Sequence, residues 1–429
     1  MERCDVLGVG IGPFNLALAA LAEPLHALGL VCVDRKPEFT WHPGLLIDGA
    51  TLQVPFLADL TTMVDPTSRW SYLSYLREHD RLFPFYFSER FRITRRDYVR
   101  YCAWVARSLR SCRFGLNVDT VRWDERENAF EIGMSTEDGT SGARVLASHV
   151  VLGVGTRPFV PHDLRPCLGD AVLHASDYLD HRGALLGERD VTVIGSGQSG
   201  AEVFLDLLRS APTGTRLRWI TRTPAFQPME YSKLGLEHFT PDHTRYFHAL
   251  PAGERDSLLA TQGRLHKAIS AETIADIHDL LHDRLAEGVP VDAVLLPGVE
   301  VLEAAHTGSG VVLRCRHARQ GTETTVRTGK VVLATGYAAE RPSFLEPLEK
   351  WLLPDPRGRT EVDEDYRVAL DPVVTGGLYV QNAELHTHGV GAPDLGLGAH
   401  RAATILNAIT GTQVYRLPAR TAFTTFGLR

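Results

Sequence analysis

Short apolar runs alternate with stretches of helical periodicity along most of the chain, which predicts an α/β protein built on parallel sheets. Two segments follow one plan. In the first, "CDVLGVGIG" (Cys4–Gly12) leads into the helical "PFNLALAALAEPL" and then a short strand, "LVCVD", ending at Asp34. In the second, "VTVIGSGQSG" (Val191–Gly200) leads into "AEVFLDLLRS" and then "LRWITR", ending at Arg222. A further pair, "HVVLGVGTRP" (149–158) and "KVVLATGYAAERP" (330–342), reads as two buried strands that break at glycine before a polar loop. Two strand–helix–strand units, each with a closing strand, account for all four segments.

The pattern changes between Thr223 and Val289. A loop containing Pro and Tyr precedes the helical "PAGERDSLLATQGRLHKAISAETIADIHDLLHDRLAEG", so this stretch is predicted to be a mainly helical insert in the second unit. Residues 117–148 read as a short β-meander with turns at "DERENA" and "TEDGTSG". The last helix, "DLGLGAHRAATILNAI", has Asp394 near its start and Gly411 after its end, both plausible caps.

Composition narrows the function classes. The formal charge is −7 with no basic or acidic tail, so a nucleic-acid partner is not favoured. The longest uncharged stretch, Val6–Ala22, is broken by glycines and Pro13 and is too short for a bilayer of roughly 30 Å. No basic leader precedes the first strand, so a cytoplasmic protein is expected. The six cysteines are scattered without a C-x-x-C pair, against a disulfide scaffold, zinc ribbon or dithiol reductase.

The glycine loops carry the chemistry. In G-x-G-x-x-G the first glycine permits the tight turn and the second lets backbone approach a pyrophosphate, which the helix N-terminus then receives. Gly195, Gly197 and Gly200 fill all three positions; the first copy has Gly8, Gly10 and the extra Gly12, with Pro13 in the third place. Asp34 lies 34 − 8 = 26 residues after its first glycine, and Arg222 lies 222 − 195 = 27 after its own. A carboxylate there suits ribose hydroxyls, whereas an arginine suits the 2′-phosphate of NADP or is a solvated strand-end charge. The first unit is therefore expected to hold FAD and the second NADPH.

Beyond the loops, "GVGIGPFNLALAAL", "FTWHPGLLIDGATLQVPFLADLTTMVDPTSRWSYLSYL", "ATGY" and "NAELHTHGVGAPDLGLGAHRAATILNAI" resemble the flavin-dependent N-hydroxylating monooxygenases of siderophore biosynthesis, which act on lysine, ornithine or diamines. The resemblance runs along essentially the whole chain. It implies an α/β fold of two Rossmann-like dinucleotide-binding domains, for FAD and NADPH, with a small helical substrate domain. The expected boundaries are 1–170 and 336–429 for the FAD domain, 171–225 and 290–335 for the NADPH domain, and 226–289 for the substrate insert. It also implies a homo-oligomer, dimer or tetramer.

Carried over by position, Gly8, Gly10, Gly12 and Pro13 resemble the FAD pyrophosphate site. Gln53 stands where the family has a glutamine beside the flavin and is the one candidate catalytic side chain. Gly195, Ser196, Gly197, Gln198 and Gly200 resemble the nicotinamide cofactor's phosphate site, and Leu395–Leu397 the segment near the flavin ring and substrate. The family's cycle has NADPH reduce FAD, O2 add to give a C4a-hydroperoxyflavin, and the neutral amine attack the terminal oxygen; no protein nucleophile or metal is required.

One departure bears on the substrate. Amino-acid hydroxylases of the family read F-L-K-D after the glutamine, and the lysine pairs the α-carboxylate; here Ala58 replaces it, and Gly396 stands where those enzymes tend to have Ser. Burying an uncompensated carboxylate is costly, so a diamine such as putrescine or cadaverine fits better, unless Arg69 or Lys233 supplies the cation. Glu230, Glu237 and Asp59 are the acidic candidates for the second ammonium. Ser270 falls where the family contacts substrate or nicotinamide and equally suits a helix cap. His386 and His388 lack the further ligands of a metal site, and no metal is expected. His42 reads as a structural or flavin-side hydrogen-bonding residue rather than a base. The arginine-rich stretch 95–113 reads as a solvated face over an apolar one. The alternatives are an L-lysine N6- or L-ornithine N5-monooxygenase and, from another class, a non-catalytic dinucleotide-sensing flavoprotein.

Overall fold

The computed structural model describes residues 2–136, 139, 141–290, 292–308 and 310–428. Among these, the first sheet has seven strands. Cys112–Phe114, Leu30–Asp34, Glu2–Val9 and Ser141–Leu152 run parallel in that order. The long strand Ser141–Leu152 then serves two partners. Its first half pairs antiparallel with Ala129–Thr136, which continues to Leu116–Asp124, and its last four residues pair parallel with Gly377–Val380. The meander is thus present from 116 to 152; residues 137, 138 and 140 of its second turn lie outside the described residues.

The helix Pro13–Ala22 leaves the first strand and is buried along its entire length. Apart from Asn15 it is apolar all round, and such a helix must be covered on every side. The sheet covers one side; helices Arg95–Ser108 and Gly398–Thr410 cover the other. The helix stops at Ala22, three residues earlier than its apolar pattern extends: Glu23 keeps helical backbone, but Pro24 has no N–H to continue the ladder.

The second sheet is all parallel, in the order Ala293–Pro297, Arg216–Thr221, Asp190–Ile194, Lys330–Leu333, Val172–His174. Its glycine loop feeds the helix Gln198–Ser210, whose apolar face packs on Trp219 and the central strands. Between Val299 and Thr328 a three-stranded antiparallel sheet, which the sequence pattern did not separate from the second unit, lies next to it. The insert is helical as expected, with Pro241–Ala249, Ala252–Thr261 and Ala271–Ala286 as its main helices. No helix among the described residues is long and apolar enough to cross a membrane.

Candidate functional site

A cleft of about 2410 Å³ runs between the two sheets and under the insert, larger than the ~300–1,000 Å³ of a pocket for one small ligand. Both glycine loops open into it. Gly10 has φ +88°, and a Cβ there would meet the Gly153 carbonyl oxygen at 2.6 Å. Gly195 has φ +128°, and its Cβ would lie 2.1 Å from the Ala334 oxygen. The two breaks after "HVVLGVG" and "KVVLATG" therefore pack directly on the two loops. Gly8 and Gly200 stand outside the cleft lining and serve packing: added Cβ atoms would meet Cys32 Sγ at 2.6 Å and the Gly195 oxygen at 2.5 Å. Gly12 and Gly197 each precede the first residue of their helix with extended backbone. A Cβ on Gly197 would meet no protein atom within 4 Å, only the cleft. That open space at two helix N-termini fits diphosphate groups.

Asp34 ends its strand buried, and its carboxylate is already engaged. One oxygen accepts the Ile11 N–H at 2.8 Å and the other the Lys36 N–H at 2.9 Å. It thereby ties the loop to the next strand and retains lone pairs toward the cleft. Asn15, which the sequence reading passed over, fixes the same loop. Its amide donates to the Val9, Gly10 and Val151 carbonyls at 3.2, 2.8 and 3.2 Å, and its oxygen accepts from Gln381 at 2.7 Å. A lone polar residue in the first turn of an otherwise apolar helix was the available signal.

On the other side, Ser196 and Arg222 line the cleft, Arg222 exposed at the end of its strand. Gln198 lines it too, but its side chain faces elsewhere. The amide donates to Glu202 at 2.8 Å and Thr273 at 3.0 Å, and its oxygen accepts the Ser270 N–H at 2.8 Å. Only the backbone of Gln198, at the start of the helix, is free for phosphate. Of the two readings of Ser270 the cap is the one observed: its hydroxyl accepts the Thr273 N–H at the start of the helix Ala271–Ala286, and the residue lies outside the cleft lining.

Where the two halves face each other, Gln53 lines the cleft with its carbonyl accepting from Tyr231 at 3.3 Å. His42 lines the same cleft with φ +45°, edge-on to Trp41 and Tyr337. Burial, with Arg95 and Lys36 nearby, lowers its pKa to about 4, so it is neutral. Left-handed backbone at a non-glycine residue is held only by surrounding packing.

At the far end Ala58 meets the turn Leu395–Leu397, all four residues lining the cleft. A Cβ on Gly396 would lie 2.7 Å from Asp394 Oδ1 and 3.9 Å from the Ala58 methyl, so a larger side chain has no room there. Asp394 caps this turn through the Gly396 N–H at 2.7 Å and itself lines the cleft. Burial raises its pKa to about 6, against the opposing pull of that N–H and of Arg401. Buried Arg401 holds the preceding loop by donating to the Gly391 and Ala392 carbonyls, with Glu384 as its counter-ion at 3.0 Å. The sequence reading took Asp394 only as a cap.

The other acidic candidates are occupied. Asp59 is buried and accepts from Thr61, Thr62 and Tyr72. Glu230 accepts the Ser232 N–H, and Glu237 accepts the Phe423 and Thr424 N–H groups. None of the three lines the cleft, nor do Arg69 and Lys233. Arg69 lies over the Trp70 ring, 70% exposed. The His386 Nε2–H donates to the Thr360 carbonyl at 2.7 Å, and His388 stacks on Tyr366. Among the described residues no group of three or more His, Cys, Asp or Glu side chains is placed to hold a metal.

Residues 2–339 match the family model described as L-lysine 6-monooxygenase/L-ornithine 5-monooxygenase. A putrescine N-hydroxylase of Shewanella oneidensis is 41% identical over 98% of this chain and 84% of its own length. The FAD-bound cadaverine monooxygenase of desferrioxamine biosynthesis from Erwinia amylovora superposes with TM-score 0.96 at 37% identity, covering 100% of this chain and 99% of that one. The ornithine N-hydroxylase of Kutzneria sp. 744, solved with reduced FAD, NADP+ and L-ornithine, gives TM-score 0.89 at 27% identity over 96% and 99%. With its paired glycine loops opening on one cleft, the chain belongs to the L-lysine 6-monooxygenase/L-ornithine 5-monooxygenase family of flavin-dependent N-hydroxylases.

Proposed function

We propose that this chain uses FAD and NADPH to hydroxylate one primary amine of an aliphatic diamine, putrescine or cadaverine, for a hydroxamate siderophore. The balance is amine, O2, NADPH and a proton giving hydroxylamine, water and NADP+. The flavin, when bound, supplies electron transfer and oxygen activation. In this reading the FAD domain is 1–170 with 336–429, the NADPH domain 171–225 with 290–335, and 226–289 is the substrate-binding insert. Gly10, Gly12, Pro13 and Asp34 would hold FAD; Gly195, Ser196, Gly197, the Gln198 backbone and Arg222 would hold NADPH, with Gln53 and Leu395 between the two.

The observation that carries the substrate reading is Asp394 beside Ala58 and Gly396. A carboxylate faces the cleft at the point where an amino-acid substrate would need a cation. An ammonium there keeps Asp394 ionised, while an α-carboxylate would be repelled. The opposite amine must be neutral to react. With a pKa of roughly 10.4, its deprotonation near neutral pH costs about 4–5 kcal/mol, and an apolar wall such as Leu395 and Leu397 lowers that cost by desolvation.

The L-lysine or L-ornithine reading needs a replacement cation beside Ala58, and neither Arg69 nor Lys233 reaches the cleft. Hydroxylamine formation on putrescine, cadaverine, lysine and ornithine, with FAD, NADPH and O2, tests the proposal. The expected result is a diamine kcat/KM at least about tenfold above either amino acid. Preference for an amino acid overturns it, as does peroxide without hydroxylamine.

A cytoplasmic homo-oligomer, dimer or tetramer, is part of the same proposal. Its support is an exposed aromatic face, Phe83, Tyr86 and Phe87, each more than 70% accessible in the single chain. Light scattering of the purified protein decides it.

A further inference from the structure

Glu237 and Asp242 of the insert, and the segment Tyr415–Leu428, take no part in the reading above. The segment has no regular secondary structure, yet it is tied at both ends. At its start, the Tyr415 hydroxyl donates to the Leu21 carbonyl at 2.5 Å, and its backbone pairs with the Asn407 side chain at 2.8 and 2.9 Å. Further on, Asp242 accepts the Ala422 N–H at 2.8 Å and the Thr421 hydroxyl at 3.0 Å. Glu237 accepts the Phe423 and Thr424 N–H groups at 2.9 and 2.8 Å. Arg245 donates to the Ala419 carbonyl at 2.9 Å, and the Phe426 ring packs on His238, His243 and Tyr246.

These ties are charge-assisted hydrogen bonds to backbone, stronger than neutral ones. They pull both carboxyl groups below their usual range. Pro418, between the two anchorages, and Thr421, at the second, line the cleft. The same cleft is lined by Thr240 and Pro241, which lie between Glu237 and Asp242, by Leu397 just before the last helix and by His400 within it. A structureless segment of this length that is held by side chains at both ends usually serves a site.

We propose that this strap is the end wall of the amine chamber and sets the length of diamine accepted, with Glu237 and Asp242 as the positioning residues that hold it. The inference rests on the diamine reading and assigns that substrate's distal end. The test uses the full FAD-loaded chain in three forms: wild type, Glu237→Gln with Asp242→Asn, and Pro418→Trp. Two readouts are taken: tryptic cleavage at Arg416 and Arg420, which needs no turnover, and kcat and KM for diamines from diaminopropane to diaminoheptane.

Loosening the strap is expected to speed cleavage about tenfold and to raise the relative kcat/KM of the longer diamines about tenfold through KM, with kcat within about threefold of wild type. Pro418→Trp, which fills the wall and leaves the Asp242 and Glu237 ties in place, is expected to move the optimum to a shorter diamine. Faster cleavage with an unchanged length profile overturns the end-wall assignment. Unchanged cleavage overturns the tether. A wild-type enzyme that hydroxylates no diamine sinks the underlying reading and the strap's role with it, and is told apart because the proteolysis result stands independently.

Discussion

Arg95 and Glu202 form a buried, two-pronged ion pair, with N–O distances of 2.7 and 2.9 Å, that joins the first helix layer to the helix behind the second glycine loop. Gln198 adds a hydrogen bond to the same carboxylate at 2.8 Å, so the pair is coupled to the second glycine loop. Both side chains are about nine-tenths buried. The arginine-rich stretch that reads as a solvated face therefore turns its first member inward.

Removing one partner leaves the other charge buried without compensation. Glu202→Ala is expected to lower unfolding free energy by about 3–5 kcal/mol, and Arg95→Met with Glu202→Leu to recover most of it. Urea titration of the three proteins measures this. A loss below about 1 kcal/mol would mean that the pair behaves as an exposed one.

Ala58→Lys places an ammonium within reach of Asp394 and Gly396. It should capture the carboxylate and raise KM for putrescine or cadaverine by about ten- to a hundredfold, with a smaller change in kcat. Steady-state kinetics decide it; an unchanged diamine KM would separate Asp394 from the substrate.

Asp394 carries its effect in the pH profile. Its pKa is raised to about 6, so the carboxylate is ionised above that pH and protonated below it. Diamine affinity should be full at neutral pH and fall as pH drops through 6, while the free diamine keeps both charges across that range. Asp394→Asn should bind weakly and without that inflection. Equilibrium titration of diamine into the FAD-loaded protein at pH 5 to 8 shows whether the wild type and the variant differ in this way.

Gly195→Ala and Gly197→Ala should part company. The first puts a methyl 2.1 Å from the Ala334 oxygen at φ +128°, and is expected to fold poorly or not at all. The second meets no protein atom and should keep the wild-type melting temperature while weakening NADP+ binding about tenfold or more. Thermal denaturation and NADP+ titration give the two numbers; equal melting temperatures for both variants would contradict the close-approach account.

The sequence by itself determined the two strand–loop–helix units, the helical insert and the meander, because each is written in local periodicity and in glycines at fixed offsets. It also marked Ala58 and Gly396 as departures, since a missing cation is visible in one dimension. What only the tertiary structure decided is which polar side chains remain free to act. Ser270, Gln198 and Glu237 are the right residue types in the right neighbourhood, yet each is consumed by a backbone group or side chain brought from elsewhere in the chain. Asp394 carries a capping signal, and only the approach of Ala58 and the cleft wall puts it where the proposed diamine would place an ammonium. Hydrogen-bond satisfaction and burial depend on contacts distant in sequence, so periodicity places such residues near the site but cannot say which of them are still unpaired.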